Sequence, residues 1–564
     1  MTTIRAASTA TSPSDVFAQR RAGECGWAGR SCLGSRLETL VHPVTSPFTR
    51  LLVANRGEIA VRIFRTCQEL GVETVAVYSD ADADALHSRL ADRSIRLGPA
   101  AAGESYLRAD LIIDAAREAG ATAIHPGYGF LSEQASFGEA VEAAGITFIG
   151  PAPQTLASLG DKLAARRSAS EVGVPIVPGM FEPLPVPDAI AVAEVERLAA
   201  GIGFPLLIKA ASGGGGRGMR RVDRPGDLTP AVAAAAREAE QAFGDGSVYL
   251  ERLVEGGRHI EVQLLGDDHG EIVALGERDC STQRRHQKLV EEAPAPGLST
   301  EQRLQLHGLA VKVAQSVGLR NAATAEFLYS PQGDFYFLEV NARLQVEHGV
   351  TELVTGLDLV REQLAIAAGE PLSAAVRAAA EQAAAPDRHA IEFRVSAEDP
   401  AREFAPVPGR VTRWREPGGP GVRNDSGIEP GWLVPGDYDP LLAKVLVVAP
   451  DRDRAISRAR RAIAEFETGG IQTTLPFHAW LLGHTEFVEA RVRTDLVARD
   501  WDPARLQAAA AGRVAESVAR HVWANGGLTT HPPAASTDGE RDPGGRGGTS
   551  WRDAARLEST QRWS

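Results

Sequence analysis

The chain has 564 residues and a net charge of −13, with 43% hydrophobic and 24% charged residues. These values are typical of a globular protein with about three to four domains. The acidic balance argues against a protein that coats nucleic acid, and without an apolar run of 18 residues no membrane span is predicted. Four scattered cysteines that form no CxxC pair exclude a disulfide framework and favour a reducing, cytoplasmic location.

Lysine is rare in this chain. Only five of its 60 lysine and arginine residues are lysines, namely Lys162, Lys209, Lys288, Lys312 and Lys444. An ammonium group is a compact point charge, whereas a guanidinium group is a flat fork. Each lysine is therefore a candidate for a specific role.

The first ordered elements predict a sheet that binds a ligand at one edge. Residues 1–47 lack periodicity and predict a disordered leader, with some likeness to an organelle transit peptide. A strand at 50–54, a helix at 57–70 and a strand at 74–78 then form a βαβ unit. A third strand, at 123–124, precedes a His-Pro-Gly-Tyr-Gly-Phe segment at 125–130. Ligands bind at the carboxyl ends of such strands, where the loops after these three strands lie.

A glycine-rich loop follows a predicted strand at 204–210. Residues 213–218 match G-x-G-x-x-G, but a strand at 219–222 follows instead of the helix that a dinucleotide site requires. A flexible hairpin whose backbone N–H groups approach a polyphosphate fits better. A plain surface turn is the alternative, and no P-loop motif is present.

Two strand-like runs, 324–329 and 335–341, predict a hairpin that carries carboxylates. A symmetric turn would place Glu326 opposite Glu339, residue 324 opposite residue 341 and residue 328 opposite residue 337. Opposed side chains have Cβ atoms about 4.5–5.5 Å apart. Two carboxylates at that spacing repel each other, so a hard cation such as Mg²⁺ is expected between them. A slipped register with both acids in water is the alternative.

The segment after this hairpin alternates strictly between polar and apolar residues up to Glu347. A straight strand would separate Glu339 and Glu347 by about 26 Å, at roughly 3.3 Å per residue. One site can hold both only if the chain bends, and we expect the bend near Arg343. An ordinary amphipathic strand facing water is the alternative. Residues 280–288 contain many hydrogen-bond donors, which predicts either part of an anion-binding site or a solvated basic turn.

Together these segments closely resemble one family, the biotin carboxylases of the ATP-grasp superfamily. The resemblance covers residues 49–500 and is carried by seven ordered segments: 54–60, 125–133, 160–162, 209–219, 280–296, 339–352 and 394–400. Gln134, Val340 and Gly349 depart from the usual family pattern, but none of them removes a catalytic group.

The resemblance implies an α/β fold with a Rossmann-like N-terminal domain, an ATP-grasp domain and a C-terminal α+β domain. The corresponding segments are a leader at 1–47, domains at 48–160, 161–385 and 386–500, and a helical, partly disordered tail at 501–564. The ATP-grasp domain would include a mobile glycine-rich lid at about 180–253.

The resemblance also implies roles for individual residues. ATP would be bound by Lys162, Lys209, Gly213, Gly214, Gly215, Gly216, Gly218, Met219, Glu251, Leu253, His259, Gln283 and His286. The metal ligands would be Glu326, Glu339 and Asn341. Bicarbonate would lie against Lys288, Arg343, Gln345 and Val346. Biotin would lie against Tyr128 and Arg394, and Glu347, Arg343, Lys288 and Arg394 would be catalytic, with Glu347 as the general base.

The implied reaction is ATP-dependent carboxylation of biotin with bicarbonate, assisted by Mg²⁺ or Mn²⁺. No lysine here adjoins a methionine, as biotin attachment in the family requires, so biotin is expected on a separate carrier protein. Further expectations are a carboxyltransferase subunit, a homodimer and a place in acetyl-CoA or other acyl-CoA carboxylation, as in fatty acid biosynthesis. The alternatives are a pyruvate-type carboxylase subunit, another ATP-grasp ligase such as a carbamoyl-phosphate synthetase half, and a non-catalytic nucleotide-binding regulator.

Overall fold

The computed structural model describes residues 47–184, 189–211, 219–504 and 507. Three predictions fall largely or wholly outside these residues: the leader, the tail, and the glycines at 213, 214, 215, 216 and 218. Among the described residues, none of the helices is both long and apolar enough to span a membrane.

The N-terminal segment forms a parallel five-stranded sheet with strand order β3-β2-β1-β4-β5. This confirms the predicted βαβ unit and the third strand. The elements are β1 (Arg50–Val53), α1 (Gly57–Glu69), β2 (Glu73–Ser79), α2 (Leu86–Leu90), β3 (Arg93–Gly98), α3 (Ala109–Ala119), β4 (Ala123–His125), α4 (Ala135–Ala143), β5 (Thr147–Phe148) and α5 (Pro153–Gly160).

The next segment contains a small antiparallel sheet with strand order β7-β6-β8. Strands β6 and β7 pair on either side of the glycine-rich segment, which confirms the predicted hairpin and excludes the dinucleotide interpretation. The elements are α6 (Lys162–Glu171), α7 (Ala189–Ile202), β6 (Leu206–Ala210), β7 (Arg220–Val222), α8 (Leu228–Phe243) and β8 (Val248–Arg252).

Five strands and four helices make up the middle of the described chain. The strands alternate polar and apolar side chains, so one face can line a site while the other packs into the core. The elements are β9 (Arg258–Gly266), β10 (Ile272–Arg284), β11 (Gln287–Ala293), α9 (Thr300–Ser316), β12 (Asn321–Tyr329), β13 (Phe335–Asn341), α10 (His348–Thr355), α11 (Leu359–Ala367) and α12 (Ala374–Gln382).

The last described segment is an α+β region with several short strand pairs. Its elements are β14 (His389–Ser396), β15 (Glu398–Asp399), β16 (Ala405–Pro406), β17 (Gly409–Arg410), β18 (Arg413–Arg415), β19 (Val422–Ser426), β20 (Leu433–Val434), β21 (Leu441–Ala449), α13 (Arg452–Glu465), β22 (Glu467–Gly469), α14 (Leu475–Leu481), α15 (Thr485–Val488) and α16 (Leu496–Asp500).

One antiparallel sheet joins the middle and last segments. Its strand order is β13-β12-β9-β10-β11-β14-β21-β19, so β11 pairs directly with β14 across the predicted domain boundary at 385. A buried apolar cluster also connects Val53 and Phe64 of the N-terminal segment with Leu265 and Leu275 of this sheet. The middle and last segments therefore share a sheet, and the N-terminal segment shares apolar core with the middle one.

Candidate active site

A tight turn places Lys288 on the inner face of the long sheet. Strands β10 and β11 are joined through Arg285 and His286, whose φ angles are 48° and 66°. Two successive positive φ values are typical of the two-residue turns whose twist matches that of a hairpin. The turn sets the register so that Lys288 pairs with Gln283.

Lys288 lies at the centre of three carboxylates. Its Nζ donates to Glu261 at 2.6 Å, to Glu326 at 2.9 Å and to Glu347 at 2.7 Å. Gln345 accepts a fourth contact at 3.2 Å. Burial alone would lower the pKa of Lys288, but the three acidic charges raise it well above its ordinary value. Lys288 is therefore a fixed cation that holds acids from different strands together.

The predicted carboxylate hairpin is present in β12 and β13. Glu326 lies opposite Glu339 and Thr324 lies opposite Asn341, as predicted. The prediction for residue 328 was wrong, because Leu328 pairs with Tyr336 rather than with residue 337. A register shift next to Glu326 leaves one extra residue on β13. This bulge compensates for a turn whose register differs by one residue from the symmetric arrangement.

The two opposed acids have different partners. Glu326 accepts from Asn341 Nδ2 at 2.9 Å and from Gln345 Nε2 at 3.2 Å, and it lies 3.1 Å from His259 Nε2. Glu339 instead pairs with Lys162 at 3.2 Å. Burial would raise the pKa of Glu326, but the charges of Lys288 and His259 hold it well below its ordinary value. Glu326 is therefore ionised and suited to binding a cation.

Glu261 belongs to this site and was missed from the sequence. It lies beside Glu326 in the register of β9 and β12, and Arg278 Nε donates to it at 2.5 Å. His259, Glu261 and Glu326 each place one ligand atom within 4.8 Å of the others. The alternation of polar His259, Glu261 and Gln263 with apolar residues along β9 was the signal that could have found it.

The chain bends at Arg343, as the length argument required. Strand β13 ends at Asn341, the backbone bends at residue 343, and α10 begins at His348. Arg343 donates to Asn341 Oδ1 at 2.9 Å and lies 3.0 Å from Glu133. The bend returns Glu347 to the sheet, so the interpretation as one continuous amphipathic strand is wrong.

Glu347 joins two cations that lie on neighbouring strands. One oxygen accepts from Lys288 at 2.7 Å, and the other accepts from Arg394 on β14 at 2.8 Å. Burial would raise the pKa of Glu347, but the charges of Lys288, Arg394 and Arg278 lower it. Although Glu347 precedes α10, its side chain does not cap that helix, because both oxygens are used within the site.

Arg394 is held from behind by a second buried acid. Its Nε donates to Glu291 at 2.6 Å. Burial raises the pKa of Glu291 to about 7, against the opposing charge of Arg394. Arg394 therefore lies between two carboxylates, with its direction fixed.

The residues expected to bind nucleotide lie partly on the smaller sheet. Asp161 caps α6 by accepting from the backbone N–H groups of residues 163 and 164, which places Lys162 at the first position of the helix. Lys209 of β6 lies 2.5 Å from Glu251 of β8, and buried Arg166 also pairs with Glu251. Met219 and Leu253 are half-buried near the ends of β7 and β8, and His286 is exposed at its turn.

Tyr128, one of the two residues expected to contact biotin, is positioned by the N-terminal sheet. Asn55, after β1, donates to the backbone oxygens of Pro126 at 2.8 Å and Tyr128 at 2.7 Å, after β4. The Tyr128 hydroxyl donates to Glu58. The loops at the carboxyl edge of this sheet are thus tied to each other, and α1 holds the tyrosine.

Three family models cover most of the described chain. They are the biotin carboxylase N-terminal domain over residues 47–156, the carbamoyl-phosphate synthase L chain ATP-binding domain over 161–375, and the biotin carboxylase C-terminal domain over 392–499. The chain belongs to the biotin carboxylase family. The family activity is ATP-dependent carboxylation of biotin by a ligase, and these matches assign that activity to this member.

Curated relatives and solved structures agree. Biotin carboxylase of Pseudomonas aeruginosa is 47% identical over 78% of this chain and 96% of its own length. The crystal structure of a biotin carboxylase–β,γ-ATP complex from Campylobacter jejuni has a TM-score of 0.76 and 43% identity, and covers 80% of this chain and 99% of that one. The crystal structure of the biotin carboxylase subunit of pyruvate carboxylase has a TM-score of 0.67 and 43% identity, and covers 80% of this chain and 98% of that one.

Proposed function

We propose that this family member is the biotin carboxylase subunit of a multi-subunit carboxylase, with Glu347 as its general base. One observation carries the proposal: Glu347 contacts Lys288 on one side and Arg394 on the other. The resemblance assigns Lys288 to bicarbonate and Arg394 to biotin. A base in that position can serve the first substrate while it lies next to the second.

The low pKa of Glu347 is a property of the site without substrate. A carboxylate that is paired with two cations is a poor base, whereas efficient general bases have a pKa near the operating pH. Bicarbonate bound to Lys288 and Arg343 would take over part of the Lys288 interaction. The basicity of Glu347 would then rise when the proton acceptor is needed, so substrate binding itself would activate the base.

The residues around Glu326 fit a hard cation. Glu326 and Glu339 oppose each other in the hairpin, and Asn341 lies against Glu326. Two carboxylates and an amide supply the oxygen ligands that Mg²⁺ or Mn²⁺ prefers. Bound there, the metal would offset charge on the transferring phosphoryl group. Glu261 and His259 would either be further ligands of the metal or orient the carboxylate of Glu326 toward it.

The other named residues have complementary tasks. Lys162 and Lys209 would bind the phosphates, while Met219, Glu251, Leu253, Gln283 and His286 would line the nucleotide site, with the loop at 213–218 closing over it. Gln345 and Val346 would complete the bicarbonate site. Arg394 would stabilise the biotin enolate by electrostatic interaction, and Glu291 holds its guanidinium in place.

The family resemblance implies the following chemistry for residues in those positions. Glu347 takes the bicarbonate proton, a bicarbonate oxygen attacks the γ-phosphorus, and ADP leaves. The resulting carboxyphosphate releases CO₂ and phosphate, phosphate accepts the ureido N–H proton of biotin, and the biotin nitrogen bonds to CO₂. Tyr128 and Arg394 would hold the biotin ring during that step.

The partners follow from the same proposal. A separate carrier protein would deliver biotin, a carboxyltransferase would select the acceptor, and the protein would act as a homodimer. An acyl-CoA acceptor is the first candidate. A pyruvate-type acceptor is the second, because one of the similar solved structures belongs to a pyruvate carboxylase. The division into domains at 48–160, 161–385 and 386–500 belongs to this proposal.

The test is ATP cleavage by the purified chain with and without bicarbonate and biotin. We expect cleavage that needs bicarbonate and Mg²⁺, with carboxybiotin as a product when free biotin or a biotinylated carrier is added. ATP cleavage that is independent of bicarbonate, or that consumes ammonia or glutamine, would support another ATP-grasp ligase. Nucleotide binding without any cleavage would support a regulator.

A further inference from the structure

Lys444 is the one lysine of the described chain that is completely buried and has no part in the mechanism above. Its side chain has 0% exposure on β21, a strand that lies next to β14. It pairs in register with Arg394, so the two side chains leave the same face of the sheet. Burying an ammonium group is costly unless partners compensate for it.

The partners of Lys444 come from three separate parts of the chain. Its Nζ donates to the backbone oxygen of Val346 at 2.8 Å. It lies 3.3 Å from Glu58 in the first turn of α1 and 3.7 Å from Asp425 on β19. Val346 immediately precedes Glu347, and Glu58 accepts the hydroxyl hydrogen of Tyr128. The Lys444 ammonium group therefore contacts both the residue before the proposed base Glu347 and the glutamate that accepts from Tyr128.

The packing around this contact leaves little freedom. Gly427, just after β19, lies so close to α1 that a Cβ there would be 2.5 Å from the Glu58 nitrogen. Asp425 is also fixed, because Arg423 donates to both of its oxygens, at 2.9 Å and 2.7 Å. The start of α1 thus lies directly against β19, and Lys444 is anchored from both sides.

We propose that Lys444 is a positioning residue that fixes Glu347 and Tyr128 relative to each other. It acts on Glu347 through the backbone of Val346 and on Tyr128 through Glu58. The inference rests on the proposed function and extends it. Its consequence is coupling: with Lys444 in place, ATP cleavage and carboxyl transfer occur at substrates that are aligned with each other. Without it, activated carboxyl groups are lost to water more often than they reach biotin.

The experiment measures carboxybiotin formed per ATP cleaved, using the full chain, MgATP, bicarbonate and free biotin. Lys444→Met and Glu58→Gln are the variants, and Lys312→Met, an exposed lysine on α9, is the matched control. We expect each of the two variants to lower the ratio about tenfold, because misplacement of about 1 Å can cost up to 10²-fold. Lys312→Met should leave the ratio unchanged.

The double variant separates positioning from simple structural damage. If Lys444 acts through Glu58, the double variant should form no less carboxybiotin per ATP than the less active single variant, since the effects of substitutions at contacting residues are not additive. Additive losses, or a wild-type ratio in folded Lys444→Met, would overturn the proposal. If Lys444→Met fails to fold, the isosteric Glu58→Gln variant decides the question. A wild-type ratio of carboxybiotin to cleaved ATP in Glu58→Gln would overturn the proposal that Lys444 acts through Glu58. A wild-type protein that cleaves no ATP with bicarbonate would instead refute the proposed function.

Discussion

Glu347 and Glu339 belong to one site but pair with different cations, so replacing each of them should have a different effect. Glu347 pairs with Lys288 and Arg394, which we propose to bind bicarbonate and biotin, whereas Glu339 pairs with Lys162, which we propose to bind nucleotide. Removing a positioned base typically costs about 10²–10⁴-fold in rate. We therefore expect Glu347→Gln to abolish carboxylation while MgATP binding persists, and Glu339→Gln to weaken MgATP binding.

Nucleotide titration and bicarbonate-dependent ATP cleavage check this pair of variants. Each variant serves as the control for the other, because both exchange a glutamate for its isosteric amide. Near wild-type cleavage by Glu347→Gln would exclude it as the base. A loss of MgATP affinity in that variant would place Glu347 in the metal site instead.

Glu398 on β15 offers a test of electrostatics at a residue to which no part in the reaction is assigned. Burial raises its pKa to about 7, with a further contribution from the charge of Asp439. A raised folded pKa means that the contribution of Glu398 to stability is fully present below the unfolded value of about 4.5 and is lost as pH rises to about 7. The loss should be on the order of 1–2 kcal/mol after solvent screening.

Glu398→Gln should remove that pH dependence. Denaturant unfolding of wild type and variant at pH 5 and pH 8 measures it, and the variant should gain stability relative to wild type at the higher pH. An equal difference between the two proteins at both pH values would contradict the shifted pKa. Glu403→Gln, an exposed glutamate nearby, is the matched control.

Individual site residues were predictable only where the sequence pattern was local. The Glu326–Glu339 pair follows from the spacing of one hairpin, and the bend at Arg343 follows from the distance that the chain must cover. The alternation along β9 marks the face on which Glu261 lies, but the roles of Glu261 and Glu291 depend on neighbours far along the chain: Lys288 and Arg278 for Glu261, and Arg394 for Glu291.

At the level of elements, the contact between α1 and the end of β19 should tolerate no added atom. A Cβ at Gly427 would meet backbone atoms of residues 57 and 58 at 2.5–2.6 Å. Backbone cannot move aside as a flexible side chain can, and overpacking typically costs about 1–3 kcal/mol. We expect Gly427→Ala to lower stability by that amount and to reduce carboxylation, since Glu58 would be displaced.

Gly418→Ala is the control for this substitution. A Cβ there meets nothing within 4 Å, so the alanine should be tolerated. Urea unfolding and carboxybiotin formation are the measurements. Equal stability of the two variants would show that the α1–β19 contact yields more easily than its geometry indicates.

Most elements were predictable from periodicity, but the detail of one hairpin was not. The pairing after the turn, with Leu328 opposite Tyr336, is offset by one residue from a symmetric turn, and the bulge near Glu326 restores the register on the far side. Neither feature has a signal in the alternation of β12 and β13. The paired acids were still placed correctly, because the two deviations cancel at the site.

At the level of the whole molecule, we expect a dimer formed through α1. The family resemblance assigns an arginine and a glutamate on this helix, Arg65 and Glu69, to a two-fold interface. Both are exposed, and Glu69 lies 3.3 Å from Arg361 of α11 rather than pairing with Arg65. Arg65 is thus available to a second copy, and Arg65→Glu should shift the protein toward monomer.

Analytical ultracentrifugation at micromolar concentration checks this prediction. Arg117→Glu, a change of the same kind at an exposed position of α3, is the control and should leave the sedimentation coefficient unchanged. Wild type and Arg65→Glu sedimenting alike as monomers would rule out the dimer. A dimer that survives Arg65→Glu would place the interface elsewhere.

The pairing of β11 with β14 restricts how this chain can be divided. Family models end at residue 375 and resume at 392, which invites a cut between them. Such a cut would expose two bare strand edges, because Val290 pairs with Phe393 and Ala293 pairs with Ala390 across it. Exposed edges recruit other chains and aggregate. Fragments that end or begin near residue 385 should therefore be insoluble when they are produced separately, because each would carry one unpaired edge of this sheet.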